Sequence, residues 1–185
     1  MSTFIPLNGW GVDASPFHAA ELAVQQRAGV TSVAEASGRR GIRRYMPDQH
    51  RKFFAEQPFM VFGGVDAQGQ PWATVRAGMP GFVSAPDAQT LHIEGGVLPG
   101  DPLADSWREG SMIGGLALQP QTRRRNRING VVRSVDGAAL TFEVRQSFGN
   151  CNKYIQSRTP VWVEQGASRS SIAPEIATQL SDADR

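Results

Sequence analysis

The chain has 185 residues, enough for one domain with a real core, and its 40% hydrophobic content with four Trp excludes a disordered polymer. A formal net charge of +2 supplies too weak a field for general nucleic-acid binding. Nearly all the positive charge is nonetheless arginine, Lys52 and Lys153 being the only lysines. Guanidinium is the planar, bidentate group for phosphate and carboxylate, so the imbalance points to specific anion sites.

The N-terminal stretch "MSTFIPLNGWGVDASPF" has no basic region followed by an apolar one, and no run approaches a membrane span, so a soluble, cytoplasmic protein without membrane contact is expected. Ser15 suits a helix N-cap and Pro16 a first turn. "FHAAELAVQQRAG" then supplies helix formers and a stop at Gly29. "ASGRRGIRRYM" reads as a loop. "MPDQHRKFFAEQ" predicts a short helix started by Pro47, with Asp48 complementing the dipole and Phe53 and Phe54 facing inward.

From Phe59 the pattern changes to short strands. "FMVFGGVD", "AQGQ" and "PWATVRAG" predict a hairpin, and "TLHIEG" and "MIGGLAL" two further strands, with a short helix in "DPLADSWREG" between them. "INGVVRSV" and "AALTFEVRQS" flank Asp136-Gly137, which predicts a type I′ turn. Some six strands with few helices suggest a small antiparallel barrel. The segment from Gln165 is polar and weakly patterned.

Local chemistry is sparse. His18, His50 and His92 are scattered, without metal-ligand spacing, and Cys151 is alone. No Gly-x-Gly-x-x-Gly follows a strand and no Walker-type motif occurs. The dense feature is "TRRRNRING", residues 122–130. As a strand it puts Arg123, Arg125 and Arg127 on one face and Arg124 with Asn126 on the other. As a helix it would gather Arg123, Arg124 and Arg127. The "VVRSV" that follows favours the strand, with Gly130 at a bulge or close approach.

Together, "MPDQHRKFFAEQPFMVFGGVDAQGQPWATVRAGMPGFV", "TRRRNRINGVV" and "QSFGNCNKYIQSR" resemble the pyridoxamine 5′-phosphate oxidase-like family of FMN-binding split-barrel proteins. Within that family the chain is similar to the oxidase-related subgroup. The similarity spans about residues 40–163. It implies a mainly β (α+β) fold, a six-stranded antiparallel Greek-key split barrel over residues 46–164 with flanking short helices. Residues 1–45 would form an N-terminal helical extension and residues 165–185 a polar tail.

The resemblance further implies a homodimer with FMN between the subunits. It puts Trp72, Ala73, Thr74 and Val75 beside the flavin, with Phe82 adding apolar surface, and makes Ser84 a hydroxyl contact. Arg124, Arg125 and Arg127 become phosphate ligands with Asn129 beside them, and Gln146, Asn150 and Lys153 close the site. One departure stands out: "SAPDAQTL" lacks the Lys that the oxidases carry after the second flavin-contacting strand, so the arginines of "TRRRNR" take its place. The same difference weakens pyridoxamine phosphate as substrate.

The implied activity is an FMN-dependent oxidoreductase acting on a small molecule, with a donor such as NADH or NADPH. The redox chemistry would belong to the cofactor, so no catalytic side chain need stand out. The alternative is a non-catalytic flavin- or haem-binding module serving as an electron relay. No nucleic-acid partner is expected.

Overall fold

The computed structural model describes residues 9–95, 98, 100–151, 153–161, 179, 181 and 182. The segment read as a polar tail therefore lies almost wholly outside the described residues. Three α-helices come first: α1 Ala19–Arg27, α2 Thr31–Gly41 and α3 Asp48–Ala55. Seven strands follow: β1 Phe59–Val65, β2 Pro71–Ala77, β3 Val83–Ser84, β4 Thr90–Ile93, β5 Met112–Gln119, β6 Arg124–Asp136 and β7 Ala139–Gly149.

All pairings are antiparallel, in the order β2-β1-β5-β6-β7-β4-β3. The chain is thus a mixed fold of helices and one seven-stranded antiparallel sheet, where six barrel strands were expected. The backbone ladder does not join its edges β2 and β3. A side chain reaches across instead. Arg76 of β2 donates from Nη1 to Ala138 O in the β6–β7 turn (2.8 Å) and to Gly95 O beyond β4 (3.4 Å). Its guanidinium lies 5.1 Å from the Trp107 ring centroid, and burial lowers its pKa while Asp101 raises it.

The inner face carries the core. Thr74, Phe62, Gly115, Ile128 and Ser147 are register partners across β2, β1, β5, β6 and β7, and all are buried. The α3 helix forms as expected, with Pro47 as N-cap and Phe53 and Phe54 buried.

Four local expectations need correction. The N-cap of α1 is His18, not Ser15. His18 Nδ1 accepts from Glu21 N while Glu21 accepts from His18 N, a capping box, and Ser15 is engaged with Glu35 and the amide of Phe17. Residues 36–41, read as loop, belong to α2. Gly38 lowers helix propensity, but tertiary packing needs it, since a Cβ there would lie 2.6 Å from the Phe17 ring. Residues 101–110 form turns rather than a helix, pinned by Asp101, which accepts from Leu103 N and Thr74 Oγ1. Finally, the β6–β7 hairpin forms with positive φ at Gly137 alone, whereas a type I′ turn requires a pair.

Candidate functional site

The outer face of the sheet is set by the same alternation. Ala73, Gly63, Gly114, Asn129 and Gln146 are successive register partners across β2, β1, β5, β6 and β7. Three of the residues singled out from sequence thus stand in one row, with two glycines between Ala73 and Asn129.

These glycines differ from their neighbours. A Cβ on Gly64 would lie 2.6 Å from Trp107 Nε1, and one on Gly115 2.8 Å from Ile128 Cγ2, so inward packing demands both. A Cβ on Gly63 would meet nothing closer than 3.8 Å, and one on Gly114 only Asn129 Oδ1 at 3.4 Å. Glycine inside a strand weakens it and marks either crowding or a ligand's close approach. Among the described residues nothing crowds Gly63 or Gly114. Both line a cleft of about 1000 Å³ whose other wall is the N-terminal segment, with Trp10, Pro16 and His18.

The amides at the end of the row are fixed. Asn129 Nδ2 donates to Gln146 Oε1 (2.9 Å), and Gln146 Nε2 to Pro16 O (3.1 Å). This chain ties the N-terminal segment to the sheet. Arg44 also lines the cleft, its guanidinium 6.0 Å from the Trp10 ring centroid.

The arginines divide. Arg123 is not in the strand: it sits in the left-handed region with φ 53° after a 3₁₀ turn, and β6 begins at Arg124. Arg125, Arg127 and Asn129 alternate outward, about 7 Å per two-residue step. Arg124 and Asn126 belong to the inward register. Arg124 stacks 4.7 Å from the Phe53 ring centroid, and Asn126 is buried. A second, smaller pocket of about 390 Å³ opens here, lined by Arg123, Arg124, Arg125, Asn126, Asn150 and His50 among others. His50 is buried against Ser147 Oγ (2.8 Å), and burial, with Arg43 and Arg124 nearby, lowers its pKa to about 4.

Other residues named from sequence lie elsewhere. Thr74 points inward and donates to Asp101 Oδ2 (2.5 Å), and Phe82 is buried. Trp72 is exposed at the sheet edge with Nε1 on Asp66 Oδ2 (2.7 Å), while Val75 is exposed on the outer face. Ser84 is on β3, the opposite edge strand from β2. Lys153 lies in the exposed segment after β7, near the Tyr154 ring. Sequence reasoning missed Gly63, Gly114 and Arg44. The available signal was the doublets Gly63-Gly64 and Gly114-Gly115, where one glycine serves packing and the other the cleft.

No family model matches the chain, and no curated protein matches it. Solved structures show weak, distant similarity. A Group A Streptococcus HupZ structure is 17% identical, covers 56% of this chain and 94% of its own, and has a TM-score of 0.42. A candidate pyridoxamine 5′-phosphate oxidase from Lactobacillus delbrueckii is 11% identical over 57% of this chain and 94% of its own, with a TM-score of 0.42. The FAD and heme binding protein from Mycobacterium smegmatis is 12% identical over 77% of this chain and 95% of its own, at 0.35. Among the described residues, no helix is long and apolar enough to cross a membrane.

Proposed function

We propose that this chain binds FMN in the glycine-floored cleft and acts through it as an oxidoreductase on a small molecule. The observation that carries the reading is the row Ala73, Gly63, Gly114, Asn129, Gln146, whose two central glycines leave room that no described group of the chain requires. A flat floor suits a planar ring. The amides of Asn129 and Gln146 suit its polar edge, and Arg127, the next outward residue of β6, suits a phosphate about 7 Å away.

The bound flavin would supply the hydride or electron chemistry. The chain's own part is to orient and to exclude water. Pro16 and Trp10 wall the cleft from the side opposite the sheet, and the Asn129–Gln146–Pro16 hydrogen bonds fix that wall in place. The same reading takes the setting to be cytoplasmic, with NADH or NADPH as donor. It also takes the chain to be a homodimer with the cofactor between copies. Support for the dimer is the adjoining outer row Val75, Val61 and Leu116, apolar and incompletely buried on one chain.

Flavin fluorescence provides the test. FMN should be quenched on binding, Gly63→Leu should abolish uptake of both FMN and riboflavin, and Arg127→Ala should weaken FMN while sparing riboflavin. A wild-type chain that leaves FMN fluorescence unchanged refutes the reading. If FMN binds but NADH and NADPH fail to reduce it under anaerobic conditions, the chain is a flavin-carrying relay. Light scattering at defined concentration tests the dimer.

A further inference from the structure

The smaller pocket lies between the start of β6 and the end of β7. Three guanidinium-bearing residues, Arg123, Arg124 and Arg125, line it, and no aspartate or glutamate does. None of the three forms an ion pair among the described residues.

The pocket also holds polar atoms left without partners in a buried position. Among the described residues, Asn126 is only 5% exposed yet its Nδ2 has no acceptor, Arg125 Nε is likewise buried and unpaired, and the acceptor Asn150 Oδ1 has no donor. A buried donor without an acceptor costs about 1–3 kcal/mol, so two in one pocket beside uncompensated arginines call for an acceptor-rich anion. The backbone adds a third sign. Arg123 holds a left-handed φ of 53°, where a non-glycine residue is strained, and the turn presents it at the pocket.

We propose that this pocket binds the phosphate of a small phosphorylated compound, at a site separate from the glycine-floored cleft. A phosphate is the group that fits the arginines: it takes bidentate contacts from guanidinium and accepts from Asn126, while Asn150 Oδ1 in the same pocket accepts from a hydroxyl of the organic part. The volume of about 390 Å³ leaves space for a compact organic group beyond the phosphate. Arg124 is held for the role by its stack on Phe53.

The experiment titrates the full chain with inorganic phosphate, read by calorimetry and by ³¹P NMR, for wild type and for Arg124→Gln and Arg123→Gly. The second variant removes a guanidinium at a backbone position that glycine prefers, so it keeps the fold. One phosphate per chain should bind saturably, and each variant should lose about tenfold or more, the worth of one charge-assisted hydrogen bond. FMN affinity, measured in parallel, should be unchanged in both variants. The proposal is overturned if wild type shows no saturable phosphate binding up to millimolar concentration, or if both variants bind phosphate like wild type. It is also overturned if FMN expels the phosphate and both variants lose FMN affinity in step, which would make the pocket the cofactor's own phosphate site. Because phosphate is titrated without flavin, failure of the flavin reading leaves this result standing.

Discussion

Replacing Gly130 by alanine tests the register on which the whole outer row depends. The β6–β7 ladder shifts between Asn129 and Gly130: Asn129 pairs with Gln146, Gly130 with Val144, and Arg145 is the extra residue. A Cβ on Gly130 would lie 2.0 Å from Glu143 O and 3.0 Å from Phe142 Cδ2. The first of these is a backbone atom held in the ladder, so it must retreat by about 1 Å, and the strand moves with it. Overpacking of this kind costs about 1–3 kcal/mol, and loosening one or two ladder hydrogen bonds adds about 1 kcal/mol each. Gly130→Ala should therefore lose about 3–4 kcal/mol in urea unfolding. Gly63→Ala is the control. Its Cβ has open space, so it should be neutral or stabilising by up to about 1 kcal/mol. If Gly130→Ala unfolds within 0.5 kcal/mol, roughly the scatter of neutral substitutions, of wild type, the bulge and the row built on it are wrong.

Two more perturbations probe the fold around the pocket and the sheet edges. His50 has a folded pKa near 4 against an ordinary 6.5, so between those values the unfolded chain takes up a proton that the folded one refuses. Stability should be unaffected by this group above pH 6.5 and fall as pH drops through the window, by about 2 kcal/mol at pH 4.5 after allowing for solvent at the ring edge. His50→Gln should remove that part of the slope, and an unchanged slope would dismiss His50 as its source. Arg76→Met leaves Ala138 O without its 2.8 Å donor and removes the side chain that spans the sheet edges. It should cost about 2–3 kcal/mol and shift Trp107 fluorescence, and a loss under 0.5 kcal/mol would show that the edges hold without it.

Local signals read correctly where the deciding interactions are local. The β1–β2 hairpin follows from alternation around a turn with positive φ at Gly69, and α3 from Pro47, Asp48 and the inward pair Phe53 and Phe54. They failed where a distant partner decides. Gly38 looks like a helix breaker until Phe17 packs on it, and Ser15 looks like a cap until Glu35 takes its hydroxyl. Within "TRRRNRING" the strand reading puts Arg125 and Arg127 on one face, and they do share it. It does not reveal that Arg123 leaves the strand in a left-handed turn.

By itself, then, the sequence determined the six longer strands and where the β1–β2 and β6–β7 hairpins turn, because those depend on residues a few positions apart. Only the tertiary structure decided what the strands place side by side. Gly63 and Gly114 are 51 positions apart in the chain and join Asn129 and Gln146 in one row solely through inter-strand register. That register is fixed by burying Phe62, Ile128 and their partners on the opposite face, since a slip of one residue would turn the core outward.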